Sequence, residues 1–279
     1  MLHGAYHVAW ENPGTTAEKI AAQMRDLRTV AGAGMNLFHT SHLEDIAATR
    51  RLLNTARTLG VLVILEDVNP SERAAFLGHP ALLALNVADD ANRLQTPQTL
   101  AAETQVPGAR YMSIGVTDDG AEWTYGHSEV IGLQTYPYPY EQLAYYWPKL
   151  IQARELADKH GQRLYANLQA HHNNHRDKET GELAYPKAEQ IRALAWLSAA
   201  AGVDGVLWFA QVWKGGRMPP AVWQAVRAVT LEMRRVTVGR PAVTLDGERL
   251  TAVWPGGGRV VIDLTENRVL SVEARLENK

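Results

Sequence analysis

Residues 35–66 read MNLFHTSHLEDIAATRRLLNTARTLGVLVILE, and this stretch decides the fold. Two short apolar runs, Met35 to His39 and Val61 to Glu66, flank a helical pattern from Glu44 to Leu59. That pattern closes at Gly60, in the position just past a helix end that favours glycine. A strand, a helix and a second strand in this order form a crossover unit, the usual connection between parallel strands.

The same alternation continues in both directions. Upstream, Leu2 to Trp10 reads as a strand, and Thr15-Thr16-Ala17-Glu18 supplies an N-cap for a helix ending near Ala33-Gly34. Downstream, strands are predicted at Ala81 to Ala88, Arg110 to Gly115, Val130 to Thr135, Arg163 to Gln169 and Val206 to Phe209. Helices are predicted over Glu141 to His160, Lys187 to Ala201 and Pro220 to Val236. Eight strands mostly separated by helices within about 240 residues point to a closed (β/α)8 barrel over residues 1–238. An open doubly wound sheet would show a glycine-rich phosphate turn after its first strand. Here that position holds Glu11-Asn12-Pro13-Gly14. After Gly239 the texture changes to short alternating runs punctuated by Asp246-Gly247 and Pro255-Gly256-Gly257-Gly258, which predicts a small antiparallel β appendage over residues 239–279.

Composition narrows the function classes. The 279 residues carry 28 Lys+Arg against 30 Asp+Glu, a net charge of 28 − 30 = −2, so no basic footprint for nucleic acid is present. The absence of cysteine excludes disulfides, thiolate metal sites and a cysteine nucleophile. No apolar stretch approaches the roughly 20 residues that span a bilayer, and the N-terminus lacks the pattern of an export signal. The chain reads as a soluble cytoplasmic protein with no membrane or nucleic-acid partner and no cofactor.

In a barrel of this kind the active site lies at the carboxyl ends of the strands. The residues found there include Trp10-Glu11, His39-Ser41-His42, Glu66-Asp67, Asp89-Asp90, Asp118-Asp119, Gln134-Tyr136, Gln169-His171 and Gln211-Trp213. Strand alternation places Tyr165, Asn167, Gln169 and His171 on one face, directed into the barrel, where they must bond a ligand, water or one another. Paired carboxylates at one mouth are the apparatus of glycosidic bond cleavage, with one protonated acid and one ionised partner.

The run His79-Pro-Ala-Leu-Leu-Ala-Leu-Asn-Val-Ala-Asp-Asp90 resembles the strand-four segment HPALLGWYIADE of glycoside-hydrolase-like (β/α)8 barrels. Val130-Ile-Gly-Leu-Gln-Thr-Tyr-Pro137 is similar to their DVVGVDPYP, and Tyr185-Pro-Lys-Ala-Glu-Gln-Ile-Arg192 to their PTPEEIR. Gly202-Val-Asp-Gly-Val-Leu-Trp-Phe209 is similar to GAKGIIYF, and Asn167-Leu-Gln-Ala170 also agrees with their strand seven. The pattern departs at Asp89-Asp90, where the family carries Asp-Glu, at Gln134, where it carries an acid, and at Gln169, where retaining members carry a nucleophilic glutamate.

The resemblance implies a carbohydrate ligand and acid/base carboxylate catalysis, with Asp90 as general acid or base and Glu66 or Asp89 as its partner. The shorter aspartate and the missing strand-seven glutamate favour inversion. Trp10, Glu11, His39, Tyr136, Gln169, His171, Trp208 and Gln211 are the expected substrate-binding residues. Two alternatives stay open: a non-catalytic carbohydrate-binding barrel, and a divalent-metal enzyme using His39, His42, His171, His172 and His175 with Glu66 and Asp89.

Overall fold

The computed structural model describes residues 1–103, 105–115, 121–214, 216–237 and 239–274. Eight parallel strands follow one another around a barrel: β1 (Leu2–His7), β2 (Leu37–Ser41), β3 (Leu62–Glu66), β4 (Leu82–Ala88), β5 (Arg110–Gly115), β6 (Val130–Thr135), β7 (Arg163–Gln169) and β8 (Gly205–Trp213). Parallel pairing of β1 with β8 closes the ring. A two-residue strand, β9 (Gly216–Arg217), folds back on the end of β8.

Helices α1 (Thr16–Gly32), α2 (Ile46–Thr58), α3 (Ala91–Leu94), α4 (Pro97–Glu103), α5 (Leu143–Lys159), α6 (Ala188–Ala200) and α7 (Pro220–Val236) join the strands. Thr15 caps α1 in a reciprocal capping box with Glu18, a contact worth roughly 0.5–2 kcal/mol. After β3 and β5 the full helix is replaced by single 3₁₀ turns at Arg73–Ala75 and Glu122–Thr124.

Side-chain alternation divides the strands between two cores. Leu37, Ile64, Ala84, Tyr111, Val130, Tyr165 and Leu207 fill the barrel interior, whereas Phe38, Val63, Leu65, Ala166, Leu168, Val206 and Trp208 meet the helices. The interior is full enough that Gly132 is required, because a Cβ there would lie 1.9 Å from the Tyr111 hydroxyl. That hydroxyl instead crosses the barrel to donate to Asn167 Oδ1 at 2.8 Å.

Two strand irregularities matter for the site. In β4 the register against β5 slips between Asn86 and Ala88, leaving Val87 as an extra residue. In β8 the register against β1 jumps from the Tyr6–Phe209 pair to the His7–Val212 pair. Each extra residue re-aims the side chains that follow it.

The C-terminal segment forms a four-stranded antiparallel sheet of β10 (Ala242–Asp246), β11 (Arg249–Val253), β12 (Arg259–Asp263) and β13 (Arg268–Glu273). Its buried face, with Leu250, Ala252, Val260 and Ile262, joins the same core as α6, and Trp254 meets Trp196 edge to face at 5.6 Å. Among the described residues no helix is long and apolar enough to cross a membrane.

Candidate active site

A cleft of about 530 Å³ opens at the carboxyl ends of the strands. Its walls come from β1 and the turn after it (Tyr6, Val8, Glu11), from the end of β3 (Glu66, Asp67, Val68) and from the end of β4 (Asn86 to Asp89). Phe209 and Trp213 of β8, with Arg73 and Gln95, complete it. A comparable cavity between α6, α7 and β13 lies away from the strand ends and contains the Arg192–Glu232 ion pair.

Glu66 is the last residue of β3 and is almost wholly buried. Its carboxylate accepts hydrogen bonds from the Tyr6 hydroxyl at 2.5 Å, the Ser41 hydroxyl at 2.8 Å and Asn86 Nδ2 at 3.4 Å. His39 Nε2 lies 3.3 Å from the same carboxylate without hydrogen-bond alignment, so the contact is one of charge. Burial pushes the carboxyl up, but the nearby His39 and the hydrogen bonds from Tyr6 and Ser41 together outweigh it and hold Glu66 below the usual carboxylate range. Tyr6, stacked on His39 at 3.8 Å, keeps its proton because burial and Glu66 both raise its hydroxyl far above the ordinary tyrosine value.

Asp89 follows β4 and receives the Ser113 hydroxyl on Oδ1, with Gln134 Nε2 at 3.5 Å from the same oxygen. Its exposed surface opens onto the cleft. Enclosure by the cleft walls pushes its carboxyl up, reinforced by Asp90 and Glu66 and opposed by Ser113 and His39. The neighbouring Asp67, in the left-handed region at φ 60°, is also raised by desolvation and by Glu66, against hydrogen bonds from Ser41 and Trp10. The two carboxylates ending adjacent strands are therefore driven apart, Glu66 towards the ionised form and Asp89 towards the protonated one.

An aromatic cluster supports the opposite wall. Tyr136 lies against Phe209 at 5.7 Å and His171 at 4.8 Å, and His171 meets Trp213 at 4.8 Å. Burial depresses His171 to about 4, so its ring is neutral and packs while one nitrogen lies 3.1 Å from the Phe209 carbonyl.

Several expected positions are corrected by this geometry. Asp90 is absent from the cleft lining, and its Oδ1 is buried without a hydrogen-bond partner. The extra residue Val87 inverts the parity of β4, so Asp89 takes the inward place that regular alternation assigns to Asp90. Trp208 is fully buried against the helices because it alternates with the cleft-facing Phe209. Gln211 falls within the β8 irregularity and lines a separate pocket with Thr29, Met218 and Trp223. Gln169 is 1% exposed: Oε1 accepts from Tyr138 N at 2.8 Å, and Nε2 donates to the carbonyls of Tyr138 at 2.8 Å and His171 at 3.1 Å. Its polar atoms hold the loop after β6 and are not offered to a ligand. His39 is wholly buried beneath Tyr6 and is not a lining residue.

Of the other expected binding residues, Glu11 lines the cleft, Trp10 is half-buried beside it, and Tyr136 and His171 stand in the wall behind Phe209 and Trp213. Asp118 and Asp119 lie outside the described residues. The histidines considered for a metal do not converge: His42 pairs with Thr49 and Glu72, His172 with the Asn174 amide, and His175 with Tyr140. Among the described residues no group of three or more potential ligands is placed to hold a metal ion.

Sequence reasoning assigns no role to Tyr6, Asp67, Ser113 and Phe209, of which only Asp67 appears among the strand-end residues. Parity within β1, β5 and β8 carries the signal for three of them, since Tyr6 follows Gly4, Ser113 follows Tyr111, and Phe209 follows Leu207 on the inward face.

No protein-family model and no curated protein matches the chain. Among solved structures, a glycoside hydrolase is similar with a TM-score of 0.57 at 11% identity, covering 93% of this chain and 78% of its own. A family 5 glycoside hydrolase from Bacteroides vulgatus gives a TM-score of 0.59 at 12% identity, with 94% of this chain and 76% of that one covered. A Bacteroidetes-affiliated family 5 cellulase gives 0.53 at 13% identity over 82% of this chain and 90% of its own. At these identities the likeness is one of fold.

Proposed function

We propose that the protein hydrolyses glycosidic bonds, with Asp89 as general acid and Glu66 as the ionised partner. The observation that carries this reading is the placement of these two carboxyl groups at the ends of adjacent strands, facing one aromatic-walled cleft, with opposed protonation tendencies. Titratable pairs split in this way provide the acid and the base of such a reaction at one pH. The fold shared with glycoside hydrolases supports the same reading.

In the proposed step Asp89 gives its proton to the leaving glycosidic oxygen as the bond from that oxygen to the anomeric carbon breaks. Glu66 takes a proton from the water that forms the new bond to that carbon, which inverts the centre. Tyr6, Ser41 and Asn86 keep the Glu66 carboxylate oriented. Inversion is favoured because β7 presents Gln169, locked into the Tyr138 backbone, where a retaining barrel would present its nucleophile. A panel of α- and β-linked glycosides, with the product anomer read by NMR before mutarotation, tests the proposal. Asp89→Asn is expected to lower turnover by about two to four orders of magnitude while sugars still bind.

The locked Gln169 also favours a second reading, a barrel that binds carbohydrate without cleaving it. Sugar binding without turnover on the full panel would select that reading. Absence of both would reject carbohydrate altogether.

A further inference from the structure

The cleft carries more negative charge than hydrolysis needs. Two carboxyl groups suffice for the chemistry, yet Glu11, from the turn after β1, and Asp67, at the end of β3, line the same cavity as Glu66 and Asp89. Arg73 is the sole lysine or arginine among the lining residues, and its guanidinium lies 3.7 Å from Glu103, which is not part of the cleft. The potential inside is therefore negative. At the cleft edge the Trp213 ring already holds a cation, with Lys214 Nζ 4.5 Å from its centroid. The same ammonium donates to Asn174 Oδ1 at 3.1 Å, and the contact is of the kind by which an indole face attracts a cation.

We propose that Glu11 and Asp67 select a cationic glycan, an oligosaccharide with free amino groups on its rings, over neutral and acidic sugars. This inference rests on the carbohydrate reading above. A cleft with low-dielectric walls and one sign of charge focuses its field on the ligand, favouring an ammonium and repelling a uronate of the same shape. Neither Glu11 nor Asp67 has a role in the proton transfers assigned to Asp89 and Glu66, so their charges are free to act on binding.

The test is calorimetric titration of the full chain with three trisaccharides, one of glucosamine, one of glucose and one of a uronic acid, at a pH just below neutral, where the amines are protonated and the raised Asp67 carboxyl is kept away from acid. The glucosamine trisaccharide is expected to bind about tenfold tighter than the glucose one, the effect of one well-placed charge pair in a partly enclosed site. The uronate is expected to bind weakest, and the spread should shrink as salt is raised. In the Glu11→Gln, Asp67→Asn double variant, the ratio of glucosamine to glucose trisaccharide affinity should fall to about one, with an unchanged unfolding curve as the folding control. Equal or tighter binding of the glucose trisaccharide by the parent would overturn this inference and leave the hydrolase reading standing. Retention of the full preference in the double variant would equally overturn the roles given to Glu11 and Asp67. If none of the three sugars binds, the carbohydrate reading fails and this inference fails with it.

Discussion

Glu66 and Asp89 end neighbouring strands of the barrel, and each is held by a hydroxyl that the other does not touch. Glu66 accepts from Ser41 on β2 and Asp89 from Ser113 on β5. The two hydroxyls act on carboxyl groups whose surroundings already differ. Around Glu66 the hydrogen bonds and the His39 charge overcome burial, whereas around Asp89 enclosure overcomes its hydrogen bond.

The pH dependence expected of the proposed hydrolysis follows from these directions. A general acid must be protonated, so activity is lost as pH rises through the raised Asp89 value. It is lost on the acid side as pH falls through the depressed Glu66 value. The Ser113 hydroxyl favours ionised Asp89, so Ser113→Ala should move the alkaline limb of kcat/KM to higher pH and leave the acid limb in place. A profile shifted the other way would remove Asp89 from the role of acid.

Asp90→Asn provides the companion measurement to Asp89→Asn. Because Asp90 is not part of the cleft lining, turnover of any cleaved substrate should stay within about tenfold of the parent. Equal losses in the two variants would contradict the assignment made from the β4 register.

The two tryptophans of β8 should separate cleanly. Trp213→Ala is expected to weaken sugar binding by about tenfold with little change in unfolding midpoint, since its ring lines the cleft. Trp208→Ala, in the core under the helices, is expected to cost about 3–5 kcal/mol of stability in denaturant unfolding.

Installing a carboxylate at the strand-seven position should fail. Gln169→Glu removes the donor that the Tyr138 and His171 carbonyls receive and sets a buried carboxylate against those two oxygens. Denaturant unfolding should show a loss of about 2–4 kcal/mol, with no gain of activity.

Beneath the β1 end, His7 pairs with buried Asp26 at 3.0 Å, and Asp26 also accepts from Arg217. Burial raises the Asp26 carboxyl, but these two partners outweigh it and depress the folded value. A depressed carboxyl contributes stability above its unfolded value, near 3.9, that is lost as pH falls through the folded one. His7→Ala should destabilise by about 3 kcal/mol at neutral pH, and the difference should narrow in acid as Asp26 protonates.

The barrel is legible in the sequence because each strand is short, apolar and followed by a cap or a turn residue with a local physical reason. Thr15 and Glu18 form the capping box their spacing predicts, and β5, β6 and β7 have the predicted bounds. The cleft is only partly legible, since parity depends on the unbroken count of residues. It works in β7, where Tyr165 and Asn167 do point inward, yet it does not reveal that Tyr111 occupies Asn167 Oδ1 or that the Tyr138 backbone engages both ends of the Gln169 amide. It is interrupted in β4, where one extra residue stands against β5, and in β8, where two stand against β1. Helices α3 and α4 are short enough to leave no clear periodicity.

Val87 gives β4 a property that residue identity alone lacks. The chain presents two consecutive aspartates to the barrel mouth, and one supernumerary residue upstream acts as a selector that turns the first inward. The proposed proton donor is thus written in the phase of a strand: with Val87 paired in unbroken register against β5, the same sequence would turn Asp90 inward without altering either aspartate. Chains of this architecture can relocate a reactive group by gaining or losing a bulge while keeping every side chain they need.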